Sequence, residues 1–160
     1  VLRTKISRDF TMHMVLVKHN QIGNELDRFA RQFESKEFEN LNNWMCKQFL
    51  GNGILISRVY HSPYHPTCGI GVYKKDHETR KPRPGMIRMA ANEFDLDLSS
   101  SILIGDKITD IQAGSSAGVG VNLLYSDKEK SDIEFGKILK FNTNLNYCSI
   151  NSLAEAIPFL

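Results

Sequence analysis

The apolar positions of this chain switch between two periods. Met14-Val15-Leu16-Val17 is a short apolar run with β-branched members and reads as a buried strand. Ser35 stands as an N-cap for a helix in which Phe38, Leu41, Trp44 or Met45, and Phe49 recur at helical spacing, and Gly51 closes it. Ile54–Tyr60 reads as a second strand. A long polar loop follows, His61–Arg83, rich in glycine, proline and charge. Pro84 suits the first position of a helix whose Met86, Met89, Ala90 and Phe94 mark an apolar face. Ser101–Gly105 is a strand ending in glycine, and the pattern predicts a helix over Ile108–Ala117 stopped by Gly118. Val119–Tyr125 is a further strand, and Ser152–Phe159 predicts a short C-terminal helix. Val1–Arg8 has no clear period, and Asn24–Arg31 supports at most a turn or two of helix. Met86, Met89 and Trp44 are expected in the core.

Strands alternating with helices imply βα units and an α/β fold with a mostly parallel sheet. In such sheets the chemistry sits beyond the carboxyl ends of the strands. Composition narrows the class. At 160 residues the chain is one domain's worth, and 41% hydrophobic with 24% charged residues is an ordinary globular balance. The net charge of +2 is too small, and Lys and Arg too dispersed, to argue for nucleic acid. No apolar run of about 18 residues and no signal-peptide core is present, so neither a membrane partner nor export is expected, and a cytoplasmic protein is. Cys46, Cys68 and Cys148 lie far apart, form no Cys-x-x-Cys pair and suit reduced thiols.

Two clusters carry the candidate chemistry. In Ile102-Leu103-Ile104-Gly105-Asp106-Lys107-Ile108-Thr109-Asp110 a buried strand delivers Asp106 to its carboxyl end, and Gly105 permits a tight turn. Asp106 and Asp110 are four apart and share a helical face. Hard oxygens of this kind suit Mg²⁺ bound with phosphate oxygens and water. The same acids also suit an N-cap and a first-turn partner for the helix dipole, and the segment alone leaves both readings open. In Arg80-Lys81-Pro82-Arg83-Pro84-Gly85-Met86, Lys81 stands just before a helix N-terminus, where free N–H groups and a cation favour a phosphate. Taken singly, Lys-Pro is also a common surface turn.

Lys81-Pro82-x-Pro84-Gly85-Met86 followed by Ile104-Gly105-Asp106-Lys107-x-x-Asp110 resembles motifs three and four of haloacid dehalogenase (HAD) phosphatases, in the heptose bisphosphate phosphatase and histidinol-phosphatase branch. Ile111-Gln112-Ala113-Gly114, Ala117-Gly118, Glu37–Met45 and Val59–Pro66 extend the likeness, which covers roughly Phe33–Tyr125. The resemblance implies a Rossmann-like, three-layer parallel sheet and removal of a phosphate from D-glycero-D-manno-heptose bisphosphate on the way to lipopolysaccharide or surface-glycan heptose. It implies Asp106 as a Mg²⁺ ligand, Lys81 as the phosphate-stabilising lysine, Arg80 and Lys107 as substrate contacts, and Asp110 as the second motif-four acid, acting behind the metal ligand.

The resemblance fails at the front of the chain. The family attacks with the first Asp of an Asp-x-Asp-Gly-Thr strand, and these 160 residues contain no such string. Ser7-Arg8-Asp9-Phe10-Thr11 keeps only the middle Asp and the Thr, and Ser7 could not form the usual aspartyl phosphate. Val17-Lys18-His19-Asn20-Gln21-Ile22-Gly23 is only reminiscent of motif two. The expectation is a single HAD-like domain, incomplete at its N-terminal strand and truncated or degraded before about residue 33. The branch often holds a structural zinc in the loop before motif three. The matching positions here are Ser62, Tyr64, His77 and Thr79; tyrosine and threonine are poor zinc ligands and no thiolate is among the four, so that zinc is not expected. His61, His65, Cys68 and His77 could gather on a metal, but a solvated loop is the better reading. Two functions compete: a Mg²⁺-dependent phosphatase acting on a sugar phosphate, and an inactive fragment or decayed paralogue that at most binds phosphate or a partner. A receiver-like signalling domain ranks below both, because it has no place for Lys-Pro-x-Pro-Gly.

Overall fold

A computed structural model describes residues 2–4, 13–19, 36–69, 71–126 and 145–159. Six strands form one sheet: β1 (Leu2–Thr4), β2 (His13–His19), β3 (Ile56–Ser62), β4 (Ile102–Gly105), β5 (Val121–Tyr125) and β6 (Cys148–Ile150). Their spatial order is β3-β2-β1-β4-β5-β6. The pairs β2–β3, β4–β5 and β5–β6 are parallel, as the alternation of strands and helices requires. The central strand β1 departs from this, running antiparallel to both β2 and β4. Because it opposes both neighbours, β2 and β4 remain parallel to each other. The carboxyl ends of β2 to β6 therefore share one edge of the sheet.

Three helices complete the fold: α1 (Lys36–Gly51), α2 (Gly85–Phe94) and α3 (Ile108–Ala117). The period-two alternation of the strands sorts their side chains onto two faces. Leu103 and Leu124 join Met86, Ile87 and Ala90 of α2 and Ile111 and Ala113 of α3 in one core cluster. Ile102 and Leu123 join Ile150 and Ala156 in a second. The first layer over the sheet is thus α2 with α3. On the other face lies the expected short C-terminal helix, a 3-10 segment over Leu153–Phe159. Pro158 within it removes a backbone donor, and Ala156 is its one buried residue. The Tyr60 hydroxyl donates to Glu93, which also lies 3.6 Å from Arg58, so α2 is tied to β3 by polar contacts as well as by packing. Burial first, and Glu93 second, hold the Tyr60 hydroxyl well above its ordinary pKa.

Several sequence expectations shift. The second strand runs Ile56–Ser62 rather than Ile54–Tyr60, which leaves Leu55 exposed and buries Ser62 at the strand end. β1 and β6, three residues each, were not expected: a strand so short shows no period to read. Ser35 and Asn24–Arg31 lie outside the described residues. Trp44 is 60% exposed rather than in the core, because α1 lies against β3, the outermost strand of the sheet. Met89 is 49% exposed. At roughly 100° per residue, Met86, Ile87, Ala90 and Phe94 span one arc of α2, and Met89 falls about 110° from its centre. The contrast is measurable. Met86→Ala should cost about 2–3 kcal/mol in urea unfolding through the cavity it leaves, and Met89→Ala under about 0.5 kcal/mol. Equal losses would show that the helix is rotated from the face described.

Candidate active site

At the carboxyl edge of β4 and β5 a cleft of about 260 Å³ opens. Its charged lining is Lys81, Arg83, Asp106 and Asp110, and Tyr125 and Leu153 line it as well. Each polar residue arrives for a local reason. β4 ends at Gly105, and the chain turns sharply so that Asp106 stands exposed beside the cleft. A side chain at 105 would collide with Asp110, so the turn depends on glycine there. Asp110 sits in the first turn of α3, where its Oδ2 accepts the Lys107 backbone N–H at 3.1 Å. Asp110 is thus the first-turn acid that the alternative reading expects, whereas the N-cap position falls on Lys107 rather than Asp106.

The other carboxylate oxygen of Asp110 meets the Lys81 ammonium in a direct ion pair. The two side chains are 8% and 13% exposed, so this pair is largely withdrawn from water. Lys81 reaches it from the turn before α2, where Gly85 N–H bonds the Glu78 carbonyl at 3.0 Å and Arg83 N–H the Arg80 carbonyl at 2.9 Å. The motif-three lysine and both motif-four acids thus line one cleft.

Arg80 goes elsewhere. Its guanidinium donates to the Tyr64 carbonyl at 2.9 Å, and it is not among the residues lining the cleft. Burial lowers its pKa from the ordinary value, opposed by Cys68 and Asp76. Lys107 also stays off the cleft wall and contributes its backbone N–H to Asp110. Arg83, not singled out from the sequence, lines the cleft and pairs with Asp76. Its place between two prolines at a helix start was the available signal. Tyr125 was also missed, although the end of a parallel strand is where such residues belong.

In the loop, Ser62, Tyr64, His77 and Thr79 do come together, but bonded and stacked on one another. His65 Nδ1 accepts the Cys68 N–H at 2.9 Å and so closes its own turn. Among the described residues no group of three or more His, Cys, Asp or Glu could hold a metal ion. Nor is any helix among them long and apolar enough to cross a membrane. The Ser7–Thr11 string and most of Val17–Gly23 lie outside the described residues.

Comparison with known proteins places this geometry. The HAD-hydrolase-like family model matches residues 78–155, the stretch that holds Lys81, Asp106 and Asp110. A D-glycero-alpha-D-manno-heptose-1,7-bisphosphate 7-phosphatase of Burkholderia mallei is 48% identical over 122 residues, 76% of this chain and 62% of the relative. The enzyme of that name from Campylobacter jejuni is 34% identical over 136 residues, 84% of this chain and 71% of the relative. The chain belongs to the heptose bisphosphate phosphatase family of HAD-like hydrolases. It spans less than two thirds of the Burkholderia relative's length. A D,D-heptose 1.7-bisphosphate phosphatase from B. bronchiseptica, crystallised with magnesium and phosphate, has the same fold, with a TM-score of 0.64 and 23% identity over 89% of this chain and 70% of that one. The fold is thus a HAD-like mixed α/β sheet, and phosphoric monoester hydrolysis is the family's reaction.

Proposed function

We propose that the cleft binds the phosphate of a phosphorylated heptose, in the manner of a D-glycero-D-manno-heptose bisphosphate phosphatase, and that these 160 residues alone supply binding without turnover. One observation carries the reading: Lys81 and Asp106 line a single cleft at the carboxyl edge of the sheet. Lys81 supplies the cation for a phosphoryl group, steadied by Asp110. Arg83 adds a second positive charge on the same wall. Lys107 does not line the cleft, and Arg80 would reach substrate only by moving. Arg80 would have to give up the Tyr64 carbonyl.

Mg²⁺ fits the donor set at Asp106, an exposed hard carboxylate with room for water and phosphate oxygens beside it. When bound it would supply charge neutralisation of the phosphate. Asp106 is the carboxylate placed to hold it, with Asp110 committed to Lys81 and the Lys107 amide. With so few protein ligands the metal should bind weakly unless phosphate binds with it. The setting is a soluble sugar phosphate in the cytoplasm, on the way to lipopolysaccharide or surface-glycan heptose.

Calorimetry with inorganic phosphate tests the cleft directly. Mg²⁺ should tighten phosphate binding, Asp106→Asn should abolish that Mg²⁺ effect, and Lys81→Gln should weaken binding at least about tenfold with or without metal. Phosphate that binds Lys81→Gln as well as the unaltered chain would sink the proposal.

A further inference from the structure

The loop between β3 and α2 has an interior of its own. Its centre is Thr79, which makes three hydrogen bonds to two partners, His77 and Ser62. The Thr79 N–H donates to His77 Nδ1 at 3.2 Å, so that nitrogen carries the lone pair and the ring proton sits on Nε2. The Thr79 hydroxyl, 2.8 Å from the same Nδ1, then donates to it as well. That leaves its oxygen to accept from the Ser62 hydroxyl at 2.9 Å. Ser62 is 1% exposed at the end of β3, so the chain of hydroxyls is anchored in the sheet. The Tyr64 ring stacks on His77 with centroids 3.8 Å apart and planes 21° apart, and Lys75 Nζ lies 4.7 Å over the Tyr64 ring.

The zinc that the family resemblance implies for these four positions does not fit them. Neither hydroxyl is a strong ligand, and the lone pair of His77 Nδ1 is already taken by two hydrogen bonds. The contacts that replace it lead straight to the cleft. Arg80 N–H bonds the His77 carbonyl at 3.0 Å, Arg83 N–H the Arg80 carbonyl, and Gly85 N–H the Glu78 carbonyl. These turns bracket Lys81, which is two residues beyond Thr79. The Cβ of any other residue at 85 would strike the Glu78 carbonyl, so the closure is tight.

We propose that Thr79 is a positioning residue: through its hydroxyl and amide it clasps the loop to the end of β3 without a metal, and so fixes the turn that presents Lys81 to the cleft. It acts through Lys81 and touches no substrate.

The test uses the whole 160-residue chain as the unaltered protein, Thr79→Val and Thr79→Ser. Amide hydrogen exchange is followed at Arg80, Arg83 and Gly85 with and without EDTA, and zinc is measured by elemental analysis after dialysis. Thr79→Val should speed exchange at those three amides about tenfold while Ile111 in α3 stays unchanged. Thr79→Ser, which keeps the hydroxyl, should restore slow exchange, and EDTA should leave the unaltered chain as it was. In Mg²⁺ without chelator, Thr79→Val should also weaken inorganic phosphate binding about fivefold, and Thr79→Ser should not, a split that a purely structural role would not produce. The phosphate arm rests on the cleft reading above, whereas the exchange arm does not. If the unaltered chain binds no phosphate, the cleft reading fails and exchange at Arg80 and Arg83 still decides the clasp. If Thr79→Val does not fold, Ser62→Ala removes one hydroxyl of the chain and should speed the same amides about threefold. Unchanged exchange in the variant that folds, or one zinc per chain whose removal by EDTA loosens the loop, overturns the proposal.

Discussion

The purified chain, incubated with heptose bisphosphate, histidinol phosphate or an aryl phosphate in excess Mg²⁺, should release no phosphate above the uncatalysed background. Phosphoryl transfer in this family runs through an aspartyl intermediate, and losing a nucleophile that works as a unit with its partners costs several decades in rate. The strand between β2 and β4, next to the one that carries Asp106, is Leu2-Arg3-Thr4, which has no carboxylate and runs against both neighbours. Its residue nearest the carboxyl ends is Leu2, paired with Val15 and Leu103. Under the proposed reading Lys81 and Arg83, with Mg²⁺ on Asp106, would still hold an anion in the cleft, but binding without attack lowers no barrier. Phosphate release well above background, abolished by Asp106→Asn, would refute this and make Asp9 the residue to test next.

The back of the site was legible because its residues are local signals. Gly105 followed by Asp106 and Asp110 is a strand end, a turn and a first helical turn within six positions, so their placement is local even though their chemistry is not fixed by it. Lys-Pro-x-Pro-Gly announces a helix start in the same way. What the chain order did not reveal depends on long-range contact. Asp110 pairing with Lys81 joins residues 29 apart, and Arg80 turning away to the Tyr64 carbonyl joins residues 16 apart. No local period encodes either. Tyr125 and Leu153 line the same cleft although 28 positions separate them, for the same reason. Trp44 and Met89 misled because an apolar residue at helical spacing shows which face a helix could bury. Only the neighbouring elements decide which face it does bury. β1 could not be read at all, since three residues pairing on both sides are specified by their partners.

Breaking the Lys81–Asp110 pair should destabilise the fold by about 3–5 kcal/mol from either side, read as a lower urea midpoint at unchanged slope. Removing one partner leaves the other charge in a site where 13% of the Lys81 side chain, or 8% of that of Asp110, reaches water. Asp110→Asn is the informative acid variant, because it preserves the shape that Gly105 is fitted against and an oxygen for the Lys107 N–H. It removes the charge and leaves the cap. Lys81→Met keeps most of the lysine stem and removes the ammonium. In the double variant neither buried charge is stranded, so the two losses should not add. Its stability should lie within about 2 kcal/mol of the unaltered chain, which requires a coupling of at least about 4 kcal/mol in the cycle. Strictly additive losses would mean that the two groups do not meet in solution, and would remove the support that holds Lys81 at the cleft. The same variants separate stability from binding. Asp110→Asn leaves the Lys81 charge in place but unsteadied, so phosphate affinity should fall by less than in Lys81→Met.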